Sequence, residues 1–185
     1  MTLRRGFKTE AEKRAASVRA ELGLAANDRL DPRDLALARG VAVVDADTLV
    51  PREQLEELEA LQAYAFSAAT FHIRDRTVIV VNNLHDIGRQ NSDISHELSH
   101  VLLDHDLSEV RELNGMPFRT CRPEQEEEAT TLGATLLLPR ELLLSALRHR
   151  LTVAQIAVQY EVTPVMAKYR VNTTGVARQL GLTGR

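Results

Sequence analysis

The sequence predicts an α+β fold, mainly helical, with a small antiparallel or mixed β-sheet beside a helix that carries a His-Glu-x-x-His pattern. Three observations lead there. Apolar residues recur at three- and four-residue steps through most segments. Two strand-like stretches, residues 64–73 and 77–81, flank the polar corner Arg74-Asp75-Arg76. Between that hairpin and a run of leucines stands His96-Glu97-Leu98-Ser99-His100. A length of 185 residues with 44% hydrophobic content is enough to bury a sizeable core. We expect a main domain over residues 1–150 and a small helical appendage over 151–185.

In chain order, Ala11, Ala15, Val18 and Leu22 form one stripe of an amphipathic helix, and Gly23 is a plausible stop. Asp31 caps a second helix with Pro32 in its first turn; Leu35 and Ala38 are expected inward, and Gly40 closes it. Residues 41–44 read as a short strand. Residues 51–62 are open between a helix, on the spacing of Leu55, Leu58 and Leu61, and an acidic surface segment. The hairpin of residues 64–81 follows. The next helix is expected to start near Asn91-Ser92-Asp93 and run through Leu103. Residues 107–122, which contain Gly115 and Pro117, read as a loop or short helical turn. A helix then starts at Pro123-Glu124 and ends at Leu138, before Pro139. Further helical periodicity covers residues 142–147, 153–160 and 164–169. The last two have helix-turn-helix proportions.

Charge and composition narrow the function classes. A net charge of -3, with both signs interspersed, gives no broad field for nucleic acid or an anionic membrane. No stretch approaches the roughly 20 apolar residues of a membrane span. Residues 1–23 lack the apolar run of a secretory signal. The single cysteine, Cys121, excludes an intramolecular disulfide framework and agrees with a reducing compartment. A soluble cytoplasmic protein is expected.

The chemistry lies in the His-Glu-x-x-His run. On a helix, residues four apart project from one face, so His96 and His100 can share a zinc ion. Glu97, beside them, is expected to take a proton from a water attacking a carbonyl and return it to the leaving amine. Zinc needs a third protein ligand and an open fourth position. Glu124, Glu126, Glu127 and Glu128 are the candidates. Behind them Ala129, Gly133, Ala134 and Leu137 form a small and apolar face for close packing on the motif helix. Glu126, three residues before Ala129 and seven before Gly133, lies on that face and is preferred, with Glu128 the alternative. Acidic residues also favour a helix start through its dipole, which accounts for Glu124 and Glu127.

These residues resemble the ImmA/IrrE family of metallopeptidases, a gluzincin-like group with a short His-Glu-x-x-His helix and a later glutamate-bearing helix. Residues 93–103 resemble the first signature, with Ser99 where glycine is usual. Residues 126–139 resemble the second, which closes on leucine, leucine and proline; Thr130 stands where asparagine or aspartate is common, and Leu132 and Gly133 where phenylalanine and alanine are. The resemblance extends to Leu30-Asp31, Gly40-Val41 and the segment from Ile156-Ala157 to Gly181-Leu182. It implies a zinc endopeptidase, with manganese an alternative metal, whose ligands are His96, His100 and Glu126. It also implies a protein substrate such as a helix-turn-helix repressor, and hence a role in stress response or gene regulation. The rival reading is a DNA-binding regulator with a structural or vestigial metal site. Its would-be recognition helix offers mainly Lys168 and Arg170, too little charge to dominate phosphate binding, so nucleic acid is not the expected partner.

Five further residues are read as supporting or incidental. His105, five residues after His100, is expected at the helix end or behind the ligands rather than among them. His72 and His85 flank the hairpin and are expected at the surface. His149 reads as a solvated helix end, and Cys121 as a partly exposed thiol.

Overall fold

The computed structural model describes residues 3–105, 110–113, 116–119 and 122–182. Local rules set most of the element boundaries. Helix α1 (Phe7–Glu21) follows Gly6, whose φ of 85° is left-handed, and buries Phe7, Ala11, Ala15 and Val18 on one stripe. Asp31 accepts a hydrogen bond from the Arg33 amide and starts α2 (Pro32–Ala38). Pro32, Leu35 and Ala36 are its buried residues, and Ala38 is exposed, so the inward face is rotated from the expected one. After β1 (Val41–Asp45) and a short 3-10 turn (Ala46–Thr48) comes α3 (Arg52–Leu61), a real helix that buries only Leu55.

The sheet is three-stranded and mixed. Strands β2 (Ala68–Ile73) and β3 (Arg76–Val81) form the expected antiparallel hairpin, with Ile73 opposite Arg76. Strand β1 pairs parallel to β3, Val41 opposite Thr77 and Asp45 opposite Val81, giving the order β1-β3-β2. Ile79 and Val81 are fully buried. This face packs on α4 (Ile87–Leu102), which therefore lies beside the sheet as expected.

Helix α4 starts a full turn earlier than its sequence suggests. Its cap is Asp86, whose side chain accepts from the Arg89 amide. The three cap-like residues inside it are used otherwise: Asn91 Nδ2 donates to the Glu161 carbonyl, Ser92 Oγ to the Gly88 carbonyl, and Asp93 pairs with Arg89. The segment after α4 also differs from the expected loop. It contains an antiparallel pair, β4 (Val110–Leu113) and β5 (Met116–Arg119), with Glu112 opposite Pro117. Proline is tolerated there because each strand of a two-stranded ribbon is an edge. Cys121 lies outside the described residues.

Helices α5 (Pro123–Leu137), α6 (Arg140–Arg148), α7 (Val153–Gln159), α8 (Pro164–Thr174) and the short α9 (Val176–Gln179) complete the chain. Thr152 forms a capping box with Gln155, and Thr163 caps α8 with Pro164 behind it. One hydrophobic cluster runs through all of this, joining Phe7 and Leu35 to Ile79, Leu98, Leu136, Leu142, Ile156, Ala167 and Val176. The last helices thus share the core of the rest. Arg170, 5% exposed, donates to the Leu138 carbonyl (2.9 Å) and to Glu12 (2.7 Å), fastening α8 to α1 and the end of α5. No helix among the described residues is long and apolar enough to cross a membrane.

Candidate metal centre

The site forms where α4 and α5 run against each other. Ile94, Leu98, Ser95 and Ser99 bury one face of α4, and Ala129, Leu132, Gly133 and Leu136 the facing side of α5. Gly133 is the closest point. A Cβ there would lie 2.9 Å from the Ser95 carbonyl oxygen and 3.1 Å from the His96 amide nitrogen, so only glycine lets the backbones approach this far. Ser95 Oγ donates to the Gly133 carbonyl at 3.0 Å, a buried tie across the same contact. His96 and His100 project beside this seam, and Glu126, seven residues before Gly133, meets them from α5.

The distances between the three side chains test whether they suit a metal. His96 Nε2 and His100 Nε2 are 3.1 Å apart, His96 Nε2 and Glu126 Oε2 3.2 Å, and His100 Nε2 and Glu126 Oε1 3.5 Å. Ligand bonds of about 2.0–2.1 Å in a tetrahedron place donor atoms about 3.3 Å from one another. Two imidazole nitrogens and a carboxylate that meets His96 with Oε2 and His100 with Oε1 make a donor set that could hold a metal ion such as zinc. Glu128, the alternative ligand, is engaged elsewhere, and Glu124 is exposed.

The electrostatics follow from this crowding. Burial alone would lower His96, but the hydrogen bond with Glu126 and the charges of Glu97, Glu126 and Asp93 outweigh it, and its pKa lies above the ordinary histidine value. Hydrogen bonds from His100 and His96 hold the Glu126 carboxyl far below the usual range, against the effect of burial. Burial raises Asp93, with Arg89 opposing.

Each remaining polar group of the site is held by a neighbour. Glu97 Oε2 accepts a hydrogen bond from the hydroxyl of Thr70, a buried residue of β2, which couples the sheet to the motif helix. Thr130 Oγ1 lies 3.5 Å from His96 Nδ1, so the threonine at this place still offers an oxygen to the ring. His105 stands behind His100, 3.1 Å between their Nδ1 atoms, and reaches Glu128 with Nε2. It lies just past the end of α4, off the ligand face, where its spacing put it. Burial lowers its pKa.

The other histidines divide. His72 is exposed on β2 and bonds Thr77 Oγ1 at 3.0 Å, and exposed His149 meets the Ser145 carbonyl at the end of α6. His85 departs from its expected surface position: its side chain is 8% exposed, paired with Glu59 at 3.1 Å and set against the Tyr64 ring. That burial arises because Glu59 and Asn82 converge on it from α3 and the end of β3. Thr70 and Arg4, the latter bound to Glu128 at 3.0 Å, were not visible from the sequence as site residues. Neither belongs to a motif, and only the fold brings them near.

The family model for Peptidase M78, described as an IrrE N-terminal-like domain, matches residues 58–172, a span that contains His96, Glu97, His100 and Glu126. No curated protein matches the chain.

Proposed function

Given that this chain belongs to the ImmA/IrrE family of metallopeptidases, we propose that it is a zinc-dependent endopeptidase with His96, His100 and Glu126 as metal ligands and Glu97 as general base. The observation that carries this reading is the convergence of His96 Nε2 and His100 Nε2, 3.1 Å apart, with the Glu126 carboxylate, whose Oε2 is 3.2 Å from His96 and whose Oε1 is 3.5 Å from His100. When bound, zinc would acidify a water and polarise a substrate carbonyl.

The chain's own residues supply the rest of the reaction. His96 and His100 give their Nε2 lone pairs, and Glu126 is already ionised, so it adds a negative charge without having to lose a proton. Glu97, the non-ligand carboxylate of the motif, takes the proton of the attacking water and delivers it to the leaving amine. Thr70 restrains one Glu97 oxygen through its hydroxyl. This leaves the other oxygen for proton transfer.

The substrate we favour is a protein, a helix-turn-helix repressor being the class that the family resemblance suggests, in a cytoplasmic setting. Manganese is the alternative metal. A DNA-binding role draws less support, because Arg170, one of the two cations on the would-be recognition helix, is buried against Leu138 and Glu12 and cannot meet phosphate.

The test is cleavage of a panel of helix-turn-helix repressors and of an unfolded control protein, read by mass spectrometry of new chain ends. The zinc-loaded protein should produce them, and Glu97→Gln should retain zinc while cutting about 10²–10⁴-fold more slowly. Equal rates for the two would remove Glu97 from the reaction.

A further inference from the structure

We propose that His105, Glu128 and Arg4 form a hydrogen-bond chain that decides which nitrogen of His100 is free for the metal, making the amino-terminal segment a positioning part of the site. This rests on the metal reading above. The chain begins at His100 Nδ1, 3.1 Å from His105 Nδ1. Two imidazole nitrogens at that distance need one N–H and one lone pair between them. His105 Nε2 is in turn 3.3 Å from Glu128 Oε2, and an ionised carboxylate only accepts. A neutral His105 must therefore carry its proton on Nε2, which leaves its Nδ1 as an acceptor. The neutral His100 ring that metal binding requires must then donate from Nδ1, which leaves its Nε2 lone pair for the metal.

The opposite order fails at both ends. A proton on His105 Nδ1 would set the Nε2 lone pair against a carboxylate oxygen. It would also put the His100 proton on Nε2, where the metal should bind. Arg4 completes the chain from the other side, donating from Nε to Glu128 Oε1 at 3.0 Å, and it is itself paired with Glu10 at 2.9 Å. A guanidinium only donates, so with Arg4 at Oε1 and His105 at Oε2 the Glu128 carboxylate is the acceptor in both contacts.

The backbone places His105 deliberately. Five residues beyond His100 lies off the ligand face of a helix, but α4 ends in a reversed turn in which Asp104 takes a φ of 53°. The Asp104 amide donates to the Val101 carbonyl at 3.2 Å and the His105 amide to the His100 carbonyl at 3.0 Å, the paired bonds of a Schellman motif. The chain thus folds back, and the His105 side chain, 6% exposed, lies against His100. Arg4 precedes the matched residues 58–172, so this support enters from outside the segment that carries the family likeness.

The experiment uses the full chain. Long-range nitrogen–proton NMR of the zinc-loaded wild type should show His100 protonated on Nδ1 and His105 on Nε2. Zinc affinity, read by competition with a chromophoric chelator, should fall about 10–100-fold for His105→Phe and for Glu128→Ala. Glu128→Gln, whose amide oxygen still accepts from His105, should recover most of that loss. A zinc-loaded wild type with His105 protonated on Nδ1, or variants that bind zinc as tightly as the wild type, overturns the proposal alone. A wild type that takes up no zinc overturns the metal reading and the proposal with it.

Discussion

His96 is the ligand candidate at which acid and metal compete most directly. Its pKa is raised, despite burial, by Glu126 and by the charges of Glu97 and Asp93, so the metal-free protein holds a proton there over a wider pH range than an ordinary histidine would. Metal binding needs the neutral ring. Glu126 does not add to this competition, because its carboxyl is held far below the usual range and has no proton left to lose near neutrality. Zinc affinity should therefore be flat above the raised His96 value and fall about tenfold for each pH unit just below it, as one proton is displaced per metal bound. A chelator-competition series between pH 5 and 8 (a window of about three units around the histidine range) checks this, and an affinity independent of pH throughout would contradict it.

Helices α4 and α5 turn separate signatures into one site, and their closeness depends on Gly133. Alanine there would gain up to about 1 kcal/mol of helix propensity. Its Cβ would also meet the Ser95 carbonyl at 2.9 Å and the Ser95 carbonyl carbon at 3.1 Å, backbone atoms that cannot rotate away. Overpacking of this kind costs about 1–3 kcal/mol. Gly133→Ala should thus lower the melting temperature of the metal-free protein and weaken zinc binding as well, by moving Glu126 from His96. Unchanged melting and zinc titration curves would show that the seam tolerates a methyl group. The sequence made this seam legible because small residues at helical spacing are a local pattern, and the same holds for the cap Asp31. The start of α4 was hidden by surplus: Asn91, Ser92 and Asp93 all suit a cap, and only their distant or internal partners show that Asp86 holds the role. The β4-β5 pair was hidden by Gly115 and Pro117, since pairing across a ribbon depends on register more than on composition.

At the level of the whole molecule, the ligand helices are held by a core to which both ends of the chain contribute. Glu12 of α1 accepts from the Arg140 amide at 3.0 Å and from Arg170 at 2.7 Å, so α1, α6 and α8 meet at one half-buried carboxylate. The motif residues were readable because chemistry requires them in a fixed pattern. Arg4 and Thr70 were not, since nothing in their own neighbourhood of the sequence points to Glu128 or Glu97. Metal binding by His96, His100 and Glu126 depends on this assembly bringing the three side chains together. Its most direct test is the zinc content of the wild type and of Glu126→Ala after both are stripped of metal, reloaded and desalted. We predict about one zinc per chain in the wild type and a large loss in the variant; full retention of zinc by Glu126→Ala would contradict it.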